Sequence, residues 1–107
     1  MKRGNLILVA VSGDFGKPRP ALLVQSDLFD QHPSITICLV TSHLLEAPLL
    51  RYTVEPSGSN GLSKTSQIQI DKLVIIARSK AGQVIGSLTR KQMQEVTRLL
   101  ALFVGIA

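Results

Sequence analysis

Turn-forming residues cut this chain into apolar runs too short for most helices. Six stretches rich in branched side chains, at 5–11, 21–26, 35–41, 50–55, 66–70 and 72–77, are separated by glycine, proline, asparagine and serine. Runs of that length and spacing predict the strands of a small barrel or sandwich. The connection SGDFGKPRP holds two glycines, an aspartate and two prolines, and PSGSNGLSK contains the turn dipeptide Asn60-Gly61. Both read as surface loops. In the loop DLFDQHPS, Pro33 favours an extended or turn conformation at His32, just ahead of the third run.

One segment has helical period. Thr89 is a plausible N-cap with Gln92 three residues on, the capping-box pattern, and Gly105 stands where a C-terminal cap belongs. Met93, Val96, Leu100 and Phe103 form the expected core-facing stripe. Leu99, Leu102 and Val104 extend the apolar surface around the last two turns, more than one face of a barrel covers. Either a more enclosing core or a subunit interface accounts for that excess.

At 107 residues the chain, 1–107, reads as a single domain. It is 45% apolar and only 4% aromatic. The core must therefore be built from Leu, Ile and Val, and neither disorder nor a disulfide scaffold fits. Cys38 is the one cysteine, inside ITICLV, and reads as a small buried hydrophobe in a reducing compartment. The start MKRGNLILVAVSG places two charges before an apolar run, but that run is too short for a signal peptide and no segment has the length of a membrane span. A cytoplasmic location and no membrane partner are expected.

The formal net charge is +5, from twelve basic and seven acidic residues. That balance favours phosphates or acidic partners. The basic residues are dispersed, so nucleic acid would meet a folded surface with few aromatics for base stacking.

Three short stretches could carry chemistry. In GKPRPALLVQS, Pro18 and Pro20 hold Arg19 on a largely predetermined extended backbone. Such an arginine suits phosphate oxygens, and it also suits an exposed strand edge blunted by proline. In CLVTSH an apolar strand gives way to Thr41, Ser42 and His43, groups able to position a phosphodiester or simply to end a strand. In SQIQID, Gln67, Gln69 and Asp71 share the polar face of a strand. There Asp71 could accept a proton or pair with a basic side chain. No zinc-ligand spacing, P-loop or nucleophile elbow is present, and no metal or cofactor is expected.

The order of MKRGN, RPALLVQ, a strand ending in TS, NGLSKTSQI followed by aspartate, and a capped apolar helix resembles the PemK/MazF toxins of type II toxin-antitoxin systems along nearly the whole chain. The resemblance implies a mainly β fold: an SH3-like barrel with a C-terminal α-helix. It further implies a homodimer that cleaves single-stranded RNA within a short sequence, without a metal, leaving a 2′,3′-cyclic phosphate and a 5′-OH. Arg19 matches the family arginine of the RPA motif, and Thr41 the threonine before serine at the end of the third strand. These two, with Asp71 as a possible base, are the catalytic candidates; Lys17, Ser42 and Gln69 are the RNA-binding ones. Gln69 departs from members that carry an arginine two residues before the aspartate, and the first loop, with Asp14 and Lys17, is shorter than in many relatives. The implied protein partner is an acidic, partly disordered antitoxin competing for the same basic groove.

Two other readings share the barrel. CcdB-like toxins bind gyrase without nuclease activity and end in tryptophan-glycine-isoleucine. Here Gly105-Ile106 follows Val104, and the chain has no tryptophan. A non-catalytic SH3-like binding module is the other. If the helix end is a subunit interface, Leu102→Glu or Phe103→Asp yields a monomer or an insoluble chain in sedimentation. A well-folded dimer of either variant would count against that interface.

Overall fold

The structure, a computed structural model, describes residues 1–10 and 17–107. Asp14 and most of the first connection lie outside the described residues. The elements run β1 (Asn5–Ala10), β2 (Pro18–Leu23), β3 (Ser34–Thr41), β4 (Arg51–Val54), β5 (Ser66–Ala77), β6 (Ala81–Ser87) and α1 (Arg90–Phe103), with single 3₁₀ turns after β2 and β5. The strands form one antiparallel sheet in the order β4-β5-β3-β2-β1-β6.

Both faces of the sheet bury side chains. One cluster joins Leu6, Leu22, Cys38, Val40 and Ile68 to Met93, Val96 and Leu99 of the helix. The other gathers Ile7, Val9, Ala21, Leu23, Ile35 and Ile37. Strands covered on both sides lose the alternation of a half-exposed sheet, which is why β1 and β3 read as nearly unbroken apolar runs. Cys38 belongs to this interior, and burial, with a smaller contribution from the Asp71 carboxylate, pushes its thiol up to about 12.

The runs 66–70 and 72–77, expected as two strands, are one. Between the pairs Val40↔Ile68 and Cys38↔Leu73, Leu39 alone stands against Gln69 to Lys72. This bulge bends β5 and removes strict alternation where Gln69 and Asp71 lie. The last strand, β6, is absent from the expected set. Its sequence, AGQVIGS, carries two glycines and little apolar period, and pairing with β1 supplies what local propensity lacks. β2 starts earlier than expected, because proline's φ suits an extended chain.

The two edges, β4 and β6, are bridged by a loop instead of a ladder. The connection after β4 lies against β6, where Ser87 N–H donates to the Ser59 carbonyl at 2.9 Å. Backbones meet there: a Cβ at Gly61 would fall 2.2 Å from the Ile85 carbonyl oxygen, and one at Gly86 2.4 Å from the Asn60 carbonyl carbon. Gly61 also has φ +70°, a conformation that favours glycine.

The helix begins as expected. Thr89 Oγ1 accepts from Gln92 N–H at 3.1 Å, and Gln92 Oε1 accepts from Thr89 N–H at 2.8 Å. It ends in a Schellman turn: Gly105, at φ +84°, donates to the Leu102 carbonyl and Ile106 to that of Ala101. The stripe differs from expectation, since Leu99 is buried and Phe103 is 47% exposed. Leu102, Phe103, Val104 and Ile106 leave an apolar patch at the helix end. Among the described residues no helix is long and apolar enough to cross a membrane. Thr89→Ala removes the reciprocal cap and is expected to lower stability by about 1 kcal/mol, read as a fall in urea midpoint with an unchanged slope.

Candidate functional site

The site forms where two strands part company. β2 pairs with β1 from Pro18 to Leu22, through Leu8↔Pro20 and Ala10↔Pro18, but with β3 only from Ala21↔Leu39 onward. Proline has no N–H to donate, so β2 loses two donors where the β3 ladder stops. The separation opens a cleft of about 420 Å³. Arg19 and Pro20 line it from β2, Thr41 and Ser42 from the end of β3, and Ser63 and Lys64 from the loop before β5. Its apolar floor comprises Leu8, Val40, Leu62 and Ile85.

Several side chains hold this arrangement. Thr41 Oγ1 accepts from His43 N–H at 3.1 Å, which turns the chain after β3 and leaves the hydroxyl hydrogen for another acceptor. Gln67 clasps the following loop through both backbone groups of one residue: Oε1 accepts from Leu45 N–H and Nε2 donates to the Leu45 carbonyl, each at 3.0 Å. Arg51 donates to Gln67 Oε1 and to the His43 carbonyl. Beyond this clasp a second groove of about 430 Å³ is lined by residues 44–48 with Arg51, Thr53 and Gln67.

The opposite wall is organised by Asn60, which is buried. Its Oδ1 accepts from Ser57 N–H and Leu62 N–H, both at 3.0 Å, and its Nδ2 donates to the Glu55 carbonyl at 2.8 Å. Ser66 then donates its hydroxyl to the Lys64 carbonyl at 2.9 Å. Glu55 accepts from Thr65 at 2.7 Å. The described lining of the cleft thus presents two cations and several hydroxyls with no carboxylate, a composition that suits an anion.

Of the candidates read from the sequence, Arg19, Thr41 and Ser42 come together in this cleft. Gln69, Asp71 and Lys17 are not among its lining residues. Gln69 sits opposite Arg51 of β4. Asp71 lies in the β5 bulge, where its Oδ1 is buried without a hydrogen-bond partner among the described residues and its charge acts on the Cys38 thiol. Lys17 is exposed next to the prolines. Lys64, Ser63 and Arg51 were missed; a lysine between a serine and a threonine in a turn-rich loop gives no local sign of facing a cleft. Among the described residues, no group of three or more His, Cys, Asp or Glu side chains is placed to hold a metal ion.

A model of the PemK-like, MazF-like toxins of type II toxin-antitoxin systems matches residues 2–104. The chain belongs to this family. It is 40% identical over 108 residues to a probable endoribonuclease MazF of Mycolicibacterium smegmatis, across 100% of this chain and 99% of that one. Among solved structures, an endoribonuclease in complex with its cognate antitoxin from a mycobacterial species superposes with a TM-score of 0.84 at 18% identity, over 100% of this chain and 97% of the other. A MazE-MazF structure from Deinococcus radiodurans gives 0.78 at 22% identity, over 100% and 97%. Both establish the shared fold, mainly β with a C-terminal helix. Membership in the PemK/MazF family favours the toxin reading over a CcdB-like gyrase binder or a non-catalytic module.

Proposed function

We propose that this PemK/MazF-family toxin is an endoribonuclease that cuts single-stranded RNA within a short sequence, without a metal ion. The observation that carries the reading is the convergence of Arg19, Thr41 and Ser42 on one cleft that Lys64 also lines. The scissile phosphate sits there, its non-bridging oxygens paired with the Arg19 guanidinium and accepting from the Thr41 and Ser42 hydroxyls. The ribose 2′-oxygen attacks the phosphorus and gives its proton to water. The bond to the 5′-oxygen breaks, the leaving oxygen takes a proton from water, and a 2′,3′-cyclic phosphate and a 5′-OH remain. Negative charge grows on the phosphorane oxygens during the attack, and a fixed guanidinium stabilises that state more than the ground state. Pro18 and Pro20 reduce the ordering cost of placing it. Gln69 and Asp71, outside the cleft of their own chain, are assigned no step in this mechanism.

The toxin works in the cytoplasm as a homodimer, and the apolar helix end supports association. An acidic, partly disordered antitoxin segment silences it by covering the same basic cleft. The relative of known structure described as bound to its cognate antitoxin lends support to this arrangement.

The test uses wild type and an Arg19→Ala variant of verified fold, incubated in EDTA with long single-stranded RNA of varied sequence, followed by mapping of fragment ends. Discrete cuts with cyclic-phosphate ends are expected from wild type, slowed by about 10²- to 10³-fold in Arg19→Ala. RNA left intact by wild type would overturn the proposal.

A further inference from the structure

We propose that Lys64 binds a second backbone phosphate, next to the scissile one, so that the cleft grips two consecutive phosphates of the RNA strand; this rests on the nuclease reading above. The sheet order around the site is β5-β3-β2. Arg19 enters from β2, Thr41 and Ser42 from β3, and Lys64 from the segment leading into β5, two residues before Ser66. Arg19 and Lys64 thus border one cleft of about 420 Å³ together with the β3 hydroxyls, more space than a single phosphate fills. Between them the apolar floor of Leu8, Val40, Leu62 and Ile85 offers a surface for the face of the intervening nucleotide.

Lys64 is also a placed lysine. The Asn60 clasp sets the turn, Gly61 and Gly86 let that turn lie against β6, and the Ser66 hydroxyl holds the Lys64 carbonyl. Its backbone is thus fixed to the same sheet that carries Arg19, through β6, β1 and β2. The ammonium remains exposed at the end of a flexible stem, which fits a point-charge contact to a phosphate.

The test measures binding of RNA oligonucleotides made uncleavable by a 2′-deoxy substitution at the mapped cut site. Binding is followed against salt for wild type, Lys64→Gln, Lys64→Arg and, as a control away from the cleft, Lys72→Gln. Lys64→Gln is expected to reduce the magnitude of the log-affinity against log-salt slope by about 0.7, with Lys64→Arg restoring it. A methylphosphonate scan then locates the contact. Neutralising the phosphate next to the cut should weaken wild type and leave Lys64→Gln indifferent, whereas Arg19→Ala should be indifferent at the cut itself. Equal slopes for Lys64→Gln and Lys72→Gln would overturn the inference, as would coupling of Lys64 and Arg19 to the same phosphate. In both cases cutting by wild type would leave the nuclease reading standing. Wild type that cuts no RNA would overturn both.

Discussion

The two amide hydrogens missing at Pro18 and Pro20 shape the site more than any contact within it. A strand of ordinary residues could continue its ladder with β3, and Arg19 would then sit in a closed sheet opposite Thr41. Here β2 remains paired to β1 through both prolines while its pairing with β3 stops at Ala21. The arginine is held on an extended backbone at the mouth of the resulting gap. The same two residues thus open the cleft and reduce the freedom of the group that serves it.

The other wall depends on a different backbone economy. Since β4 and β6 do not pair, the loop between β4 and β5 covers the gap, and its backbone comes too close to that of β6 to admit a Cβ at Gly61 or Gly86. Gly61 and Gly86 admit that approach, and Asn60 satisfies the amides and carbonyl that the turn would otherwise leave buried and unpaired. Lys64 faces the cleft because of this packing. Fold and chemistry meet in one network, so a side chain added at either glycine should disturb the cleft although neither residue carries a reactive group.

Features set by local chemistry were legible in the sequence. The capping box at Thr89 and Gln92, the glycine turn at Gly105 and the buried Cys38 follow from neighbouring residues alone, and all three are present. Arg19, Thr41 and Ser42 were legible through their motifs, though only the folded sheet brings them together. Features set by distant partners were not. The strand β6 is held by β1 and by the loop at Gly61, and its glycines and exposed Gln83 carry no strand signal of their own. Asp71 read as a strand-face carboxylate, but the β5 bulge breaks the alternation there and its charge acts on the Cys38 thiol. Phe103 followed the helical period but is exposed, and Leu99 instead joins Met93 and Val96 in the buried cluster. Lys64 carried no signal of its own, since its position is decided by Asn60 and two glycines.

Where a single strand of RNA lies on this surface decides the role of the cleft. Backbone amide chemical shifts of the protein, followed as an uncleavable 2′-deoxy-substituted oligonucleotide is added, measure this directly. Perturbations are expected to concentrate at Leu8, Arg19, Thr41, Ser42 and 61–64. Shifts confined to the Arg51 groove or to the helix end, with the cleft amides unmoved, would contradict that placement.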